Sequence, residues 1–128
     1  MKNLAILLLA LILLSSCEEN ISEISSGPGI VGTYQLTAQL FDPGDGSGTF
    51  EAVKSNNTLQ FMENGSVTSN WNMCRATSSF ASMTGTYTET EIQVDGPDCG
   101  SLRYKFELGE VIIILECTEP CMLKYTRI

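Results

Sequence analysis

The chain has 128 residues, with 7 Lys and Arg against 15 Asp and Glu, no histidine, and a formal net charge of −8 at pH 7. That balance makes nucleic acid and anionic headgroups poor partners, because phosphate binding rests on clustered Lys and Arg. Without histidine a Ser or Cys nucleophile lacks its conventional base, and no pair of carboxylates is singled out by spacing, so no enzyme is expected.

The chain opens with Lys2 in a short polar start, followed by an unbroken apolar run over 4–14 and then Ser15, Ser16 and Cys17. A positive start, a short apolar run and small residues before a cut are the parts of an export signal. The run is too short for a bilayer span, which takes roughly 20 helical residues. Residues 1–16 are therefore read as a lipoprotein signal peptide. Leu14, Ser15, Ser16 and Cys17 resemble the lipobox of bacterial lipoproteins, which implies a lipid on Cys17, palmitate among its acyl chains. The expected location is the cell envelope, with the outer membrane favoured over the inner and the domain in the periplasm or at the cell surface. Removing residues 1–16 takes away Lys2 alone among the charges, leaving 6 basic and 15 acidic side chains, a net of −9. Residues 17–30, CEENISEISSGPGI, are acidic and rich in Ser and Gly, and are read as a flexible tether.

From Val31 to the end the pattern changes to short alternating segments broken by turn residues, with no helical period. Eight strands are predicted, over 31–40, 57–62, 66–73, 83–88, 91–95, 101–108, 111–117 and 121–127. The sixth is the clearest: Leu102, Tyr104, Phe106 and Leu108 share one face, and Arg103, Lys105 and Glu107 the other. In the first, Tyr34, Leu36, Ala38 and Leu40 are expected to face inward, and in the third Val67, Ser69, Trp71 and Met73. Asn64 with Gly65, and later Gly109 with Glu110, are expected to form two-residue hairpin turns. The seventh strand is apolar on both faces, so its outer side needs cover from the first loop or from a partner. Eight consecutive strands with short links predict an all-β, eight-stranded antiparallel up-and-down barrel, with a two-sheet sandwich as the alternative.

With Cys17 assigned to lipid, Cys74, Cys99, Cys117 and Cys121 remain, an even number in an exported chain, which favours disulfides. Their spacing and the lack of histidine do not fit a zinc site. Alternating strand direction puts all four at the barrel end away from the tether. Cys117 and Cys121 face each other across the last hairpin, leaving Cys74 with Cys99, although four cysteines allow three pairings. The loop Asp42, Pro43, Gly44, Asp45, Gly46, Ser47, Gly48 invites a calcium reading but lacks the closing bidentate Glu, and turn chemistry explains the same residues.

The pieces Gly32-Thr33-Tyr34, DPGDGSGTF at 42–50, TLQFMENGSV at 58–67 and the ending ECTEPCMLKYTRI resemble bacterial lipocalin-like lipoproteins of the calycin group. Small META-type β-modules are similar too. The calycin resemblance implies a lipocalin-like barrel domain over 31–128. It also implies closed-end packing in which Arg127 covers Tyr34, which stands in place of the family's tryptophan after Gly32. No cofactor and no metal is expected. The functional expectation is a membrane-anchored lipoprotein whose barrel binds a small apolar ligand or a partner protein at the cysteine-bearing end. The alternative is a structural or interaction lipoprotein, protease-inhibitor-like among its forms, with a solid core. Tyr34, Phe61, Trp71, Tyr87, Tyr104, Phe106 and Tyr125 either line a cavity or fill it, and in so small a barrel filling is the favoured reading.

Overall fold

The computed structural model describes residues 29–75, 81–97 and 99–128; the stretch read as a signal peptide, Cys17 and the expected tether up to residue 28 lie outside them. The described residues are all-β, with no helix. The strands are β1 (Gly32–Phe41), β2 (Glu51–Ala52), β3 (Thr58–Phe61), β4 (Ser66–Ser69), β5 (Met83–Tyr87), β6 (Glu91–Val94), β7 (Ser101–Glu107), β8 (Glu110–Leu115) and β9 (Cys121–Arg127). All neighbours are antiparallel in chain order, and β1 pairs with β9 from Tyr34 opposite Arg127 to Phe41 opposite Cys121, which closes the ring. Closure removes the free edges that would otherwise template pairing with another chain. Eight strands form the barrel; the short β2 is an addition lying beside the far half of β1, at Ala38 and Gln39, while β3 occupies the near half from Gly32 to Gln35.

Period-two alternation sets the core. Tyr34, Leu59, Phe61, Val67, Ile92, Ile113 and Tyr125 are all at most 1% exposed, and their outward neighbours are polar over most of the ring. The β8 exception, Ile112 and Ile114, sits half-buried between Lys105 and Lys124 in one row and Arg103 and Met122 in the other. The aliphatic stems of such residues cover apolar neighbours while their charges stay in water. Phe50 of the first loop also reaches this outer face, where Lys124 Nζ stands 4.6 Å from its ring centre.

Several local expectations are corrected. In β1 a bulge lies between Leu36 and Ala38, so Thr37 is an extra residue and the parity reverses beyond it. Gln39 and Phe41, opposite the inward-facing Leu123 and Cys121, then take the inner side, while Ala38 and Leu40 stand opposite Lys124 and Met122. The Asn64–Gly65 turn is longer than two residues: Gly65 N–H donates to Met62 O at 3.1 Å and Met62 N–H to Ser66 O at 2.9 Å, with positive φ at Gly65 alone. This is the three-residue hairpin in which one left-handed glycine forms the bulge. The true two-residue turn is Leu108–Gly109, not Gly109–Glu110, since Glu107 pairs with Glu110 and both Leu108 (φ 52°) and Gly109 (φ 80°) are left-handed. Finally, β4 ends at Ser69 rather than continuing to Met73. Ser69 Oγ accepts the Trp71 N–H at 3.1 Å and Asn72 Oδ1 the Cys74 N–H at 2.9 Å, side-chain bonds that replace the ladder and turn the chain.

Candidate functional site

Chain direction collects the longer connections at one end. The β1–β2 loop, the segment after β4 with Cys74, the β6–β7 link with Cys99 and the β8–β9 link all meet there. Cys74 is bonded to Cys99, with Cα atoms 5.6 Å apart, and Cys117 to Cys121, at 6.0 Å. Both separations lie in the range that disulfides occupy.

The first loop is organised on one carboxylate. Asp42 accepts backbone N–H bonds from Gly44 (2.7 Å) and Gly46 (3.0 Å) on Oδ1 and from Gly48 (2.8 Å) on Oδ2. Those donors stabilise the charged form and hold its pKa below the ordinary carboxylate value. Asp45 is lowered likewise by the Ser47 hydroxyl and N–H. Asp42 N–H in turn donates to Pro120 O at 2.9 Å, so the loop is tied to the Cys117–Cys121 hairpin. Carboxylates committed to backbone donors fit the turn reading of this segment, and among the described residues no group of three or more His, Cys, Asp or Glu is placed to hold a metal.

Beyond β2 the chain leaves the edge of β1 and returns to it. Val53 N–H donates to Thr37 O and Leu36 N–H to Asn57 O, both at 2.9 Å, and residues 54–56 arch between these two attachments. Gln35 Nε2 holds the arch by donating to Ser55 O at 2.5 Å. The arch stands where the Thr37 bulge interrupts the ladder, because a bulged strand bends and leaves backbone unpaired. Two cavities flank it. The outer one, about 450 Å³, is walled by Gln35, Thr37, Val53 and Asn56. The inner one, about 220 Å³, is walled by Leu36, Val53, Trp71 and Leu123, with Gln39, Lys54, Ser55 and Asn57 supplying polar atoms. Lys54 makes no ion pair among the described residues. Below the level of Leu36 the barrel is packed solid: Tyr34, Phe61, Tyr87, Tyr104 and Phe106 meet edge-on or tilted at centroid distances of 5.0–6.2 Å. Tyr125, with no exposed surface, has a hydroxyl that bonds to no described residue, and burial drives its pKa up.

The opposite end is closed. Arg127 Nη2 donates to Tyr34 Oη (2.6 Å) and Gly29 O, and Nη1 donates to Val31 O (2.9 Å), with the guanidinium 5.0 Å from the Tyr34 ring centre. Tyr34 Oη donates onward to Ile30 O at 2.7 Å. Burial raises the Tyr34 pKa, with Arg127 opposing the shift. Gly32 is required beneath the guanidinium, since its φ is +148° and a Cβ there would stand 2.8 Å from Arg127 Nη1. The same contacts tie Gly29 and Ile30, read from sequence as the end of the tether, to the barrel.

Of the residues singled out in the sequence, Gly32, Tyr34 and Arg127 meet at the closed end, and the four cysteines stand at the other; Cys17 lies outside the described residues. Trp71 alone of the aromatic set lines the inner cavity, while the others named pack the interior. Gln39, Val53, Lys54 and Ser55 went unrecognised, because no residue pattern announces a bulge or an arch. No protein-family model, no curated protein and no solved structure matches the chain.

Proposed function

We propose that the chain is a lipid-anchored protein of the cell envelope whose barrel holds a small, mostly apolar ligand in the inner cavity at the disulfide-bonded end. The carrying observation is the cavity walled by apolar Leu36, Val53, Trp71 and Leu123 together with polar Gln39, Lys54, Ser55 and Asn57, which sets apolar surface beside groups able to orient a ligand. Its volume of about 220 Å³ lies below the roughly 300 Å³ at which drug-sized sites begin, so the ligand is small. The export signal and lipobox at Cys17 support the anchor, and the barrel order with Arg127 over Tyr34 supports a calycin-like lineage.

The anchor is tested by labelled palmitate, which the full chain takes up and Cys17→Ala does not; equal labelling of both defeats it. The cavity is tested by native mass spectrometry for a co-purifying small molecule and by Trp71 fluorescence during titration with apolar probes. A change in emission that Leu123→Phe abolishes, by filling the space without adding a second tryptophan, is the expected result. The second reading, an interaction lipoprotein with a solid core, is favoured by the packed interior below Leu36. It replaces the first if no probe of any size perturbs Trp71.

A further inference from the structure

Among the described residues the large apolar side chains left exposed are Val31 (38%), Phe41 (48%), Leu108 (103%) and Ile128 (71%). Three of these four stand at the closed end. Ile128 N–H donates to Thr33 O at 3.0 Å and Arg127 N–H to Gly109 O at 3.3 Å, which sets the Leu108 turn beside the end of β9. Val31 is drawn to the same place by Arg127, which donates to its carbonyl. Leu108 is the telling member. It is the described non-glycine residue with positive φ, at 52°, a conformation that Gly, Asn and Asp adopt with less strain. A turn that would relax with Asn instead holds a leucine wholly in solvent, where packing within the barrel does not account for it.

Chain geometry names what covers this surface. The described chain begins at Gly29, at this same end, twelve positions after Cys17. That length allows at most about 40 Å between lipid and barrel. We propose that Leu108, Ile128 and Val31 are the face with which the domain rests on the bilayer, their side chains entering the interface of a zwitterionic membrane. The proposal rests on lipid anchorage of Cys17. Three side chains suffice because the tether makes docking intramolecular, at high effective concentration. Exposed Glu63, Glu89 and Glu107 lie in or beside the turns at this end and outnumber the exposed Arg127, so the face disfavours anionic headgroups and the fitting lipid carries no net charge. The cavity end then points away from the membrane.

The wild-type chain holds a single tryptophan, Trp71, at the far end, which makes a built-in control. The test places mature lipidated Leu108→Trp and wild type in phosphatidylcholine vesicles with brominated acyl chains, which quench tryptophans that enter the interface. Leu108→Trp is expected to lose about half of the added emission and to shift to the blue, consistent with insertion of several ångströms. Wild-type emission stays unchanged, and adding anionic lipid at low salt weakens the quenching. If both proteins float with the vesicles and the emission added by Leu108→Trp is unquenched, the docking face is refuted while the anchor stands. If neither floats, anchor and docking face fall together. A blue shift without vesicles that grows with protein concentration overturns the proposal in favour of a second copy as the cover.

Discussion

The two ends of this barrel are built by different means. At the closed end turns are short, and order comes from buried rings and one arginine that ties β1 and β9 to the chain leading into them. At the other end connections are long, and order comes from two disulfides, from a carboxylate wrapped in backbone N–H groups, and from an arch pinned at three hydrogen bonds. Aromatic packing leaves no room, whereas loops held at a few points leave the space a ligand needs. The closed end is thus held by packing, and the other by a few covalent and hydrogen-bonded ties.

The contrast is broken most severely by Tyr34→Ala. Removing a fully buried ring that meets Phe61 and Phe106 is expected to cost about 3–5 kcal/mol in chemical denaturation. Any ligand response of Trp71 should persist below the midpoint. If the cost falls under about 1 kcal/mol, the closed end does not carry the fold.

Next comes the stapled end. Replacing Cys74 and Cys99 by Ser, with a sequence separation of 25, is expected to destabilise by about 1.5 kcal/mol more than replacing Cys117 and Cys121, with a separation of 4. The order follows from the entropy of the loop each bond closes. Reversed midpoints in urea would show that the short hairpin bond acts through Asp42 and Pro120 on more than the loop. Shortening Asp42–Gly48 is expected to change ligand response while leaving the thermal midpoint nearly unmoved, because surface loops tolerate change better than strands.

Leu108→Asn sharpens the comparison in the opposite direction. Relief of the left-handed strain is expected to raise stability by about 1 kcal/mol, measured by denaturant midpoint at constant slope. The same substitution removes the apolar contact proposed with the membrane, so stability and vesicle docking should move in opposite senses.

The smallest effects are those of pH, and they separate the ends. Asp42 has a lowered pKa, so its contribution is complete above the unfolded value of about 4 and is lost as pH falls through the lower folded value. Acid should therefore loosen the loop, seen as faster amide exchange at Gly44, Gly46 and Gly48, before the barrel melts. Tyr104, near the closed end, is pushed up to about 12, chiefly by burial. The folded state then holds its proton longer than the unfolded chain does, so stability is complete below about pH 10 and declines as pH rises toward 12. Tyr104→Phe should flatten that alkaline decline; an unchanged curve would assign it to Tyr125, whose pKa is raised as well.

What the amino-acid order determined alone is the part governed by local periodicity and chain direction. The alternation in β7, the strand count of the ring and the separation of the cysteines from the N-terminal end all follow from side-chain period and antiparallel links, which need no knowledge of partners. Chain direction also puts the start of the first strand, with Tyr34, and the end of the last, with Arg127, at one end; that the arginine covers the ring was an expectation from the calycin resemblance. Tertiary structure decided the rest. Whether Gln39 or Ala38 faces inward depends on the bulge at Thr37, which exists only in relation to the register of β9. The arch over 54–56 and the cavities beside it depend in turn on that bulge. Leu108, alternating in step with the core residues of β7, reads as buried; the turn it shares with Gly109 rotates it into solvent. In each case the deciding interaction lies across strands, between residues on different segments, where a pattern read along one segment carries no information.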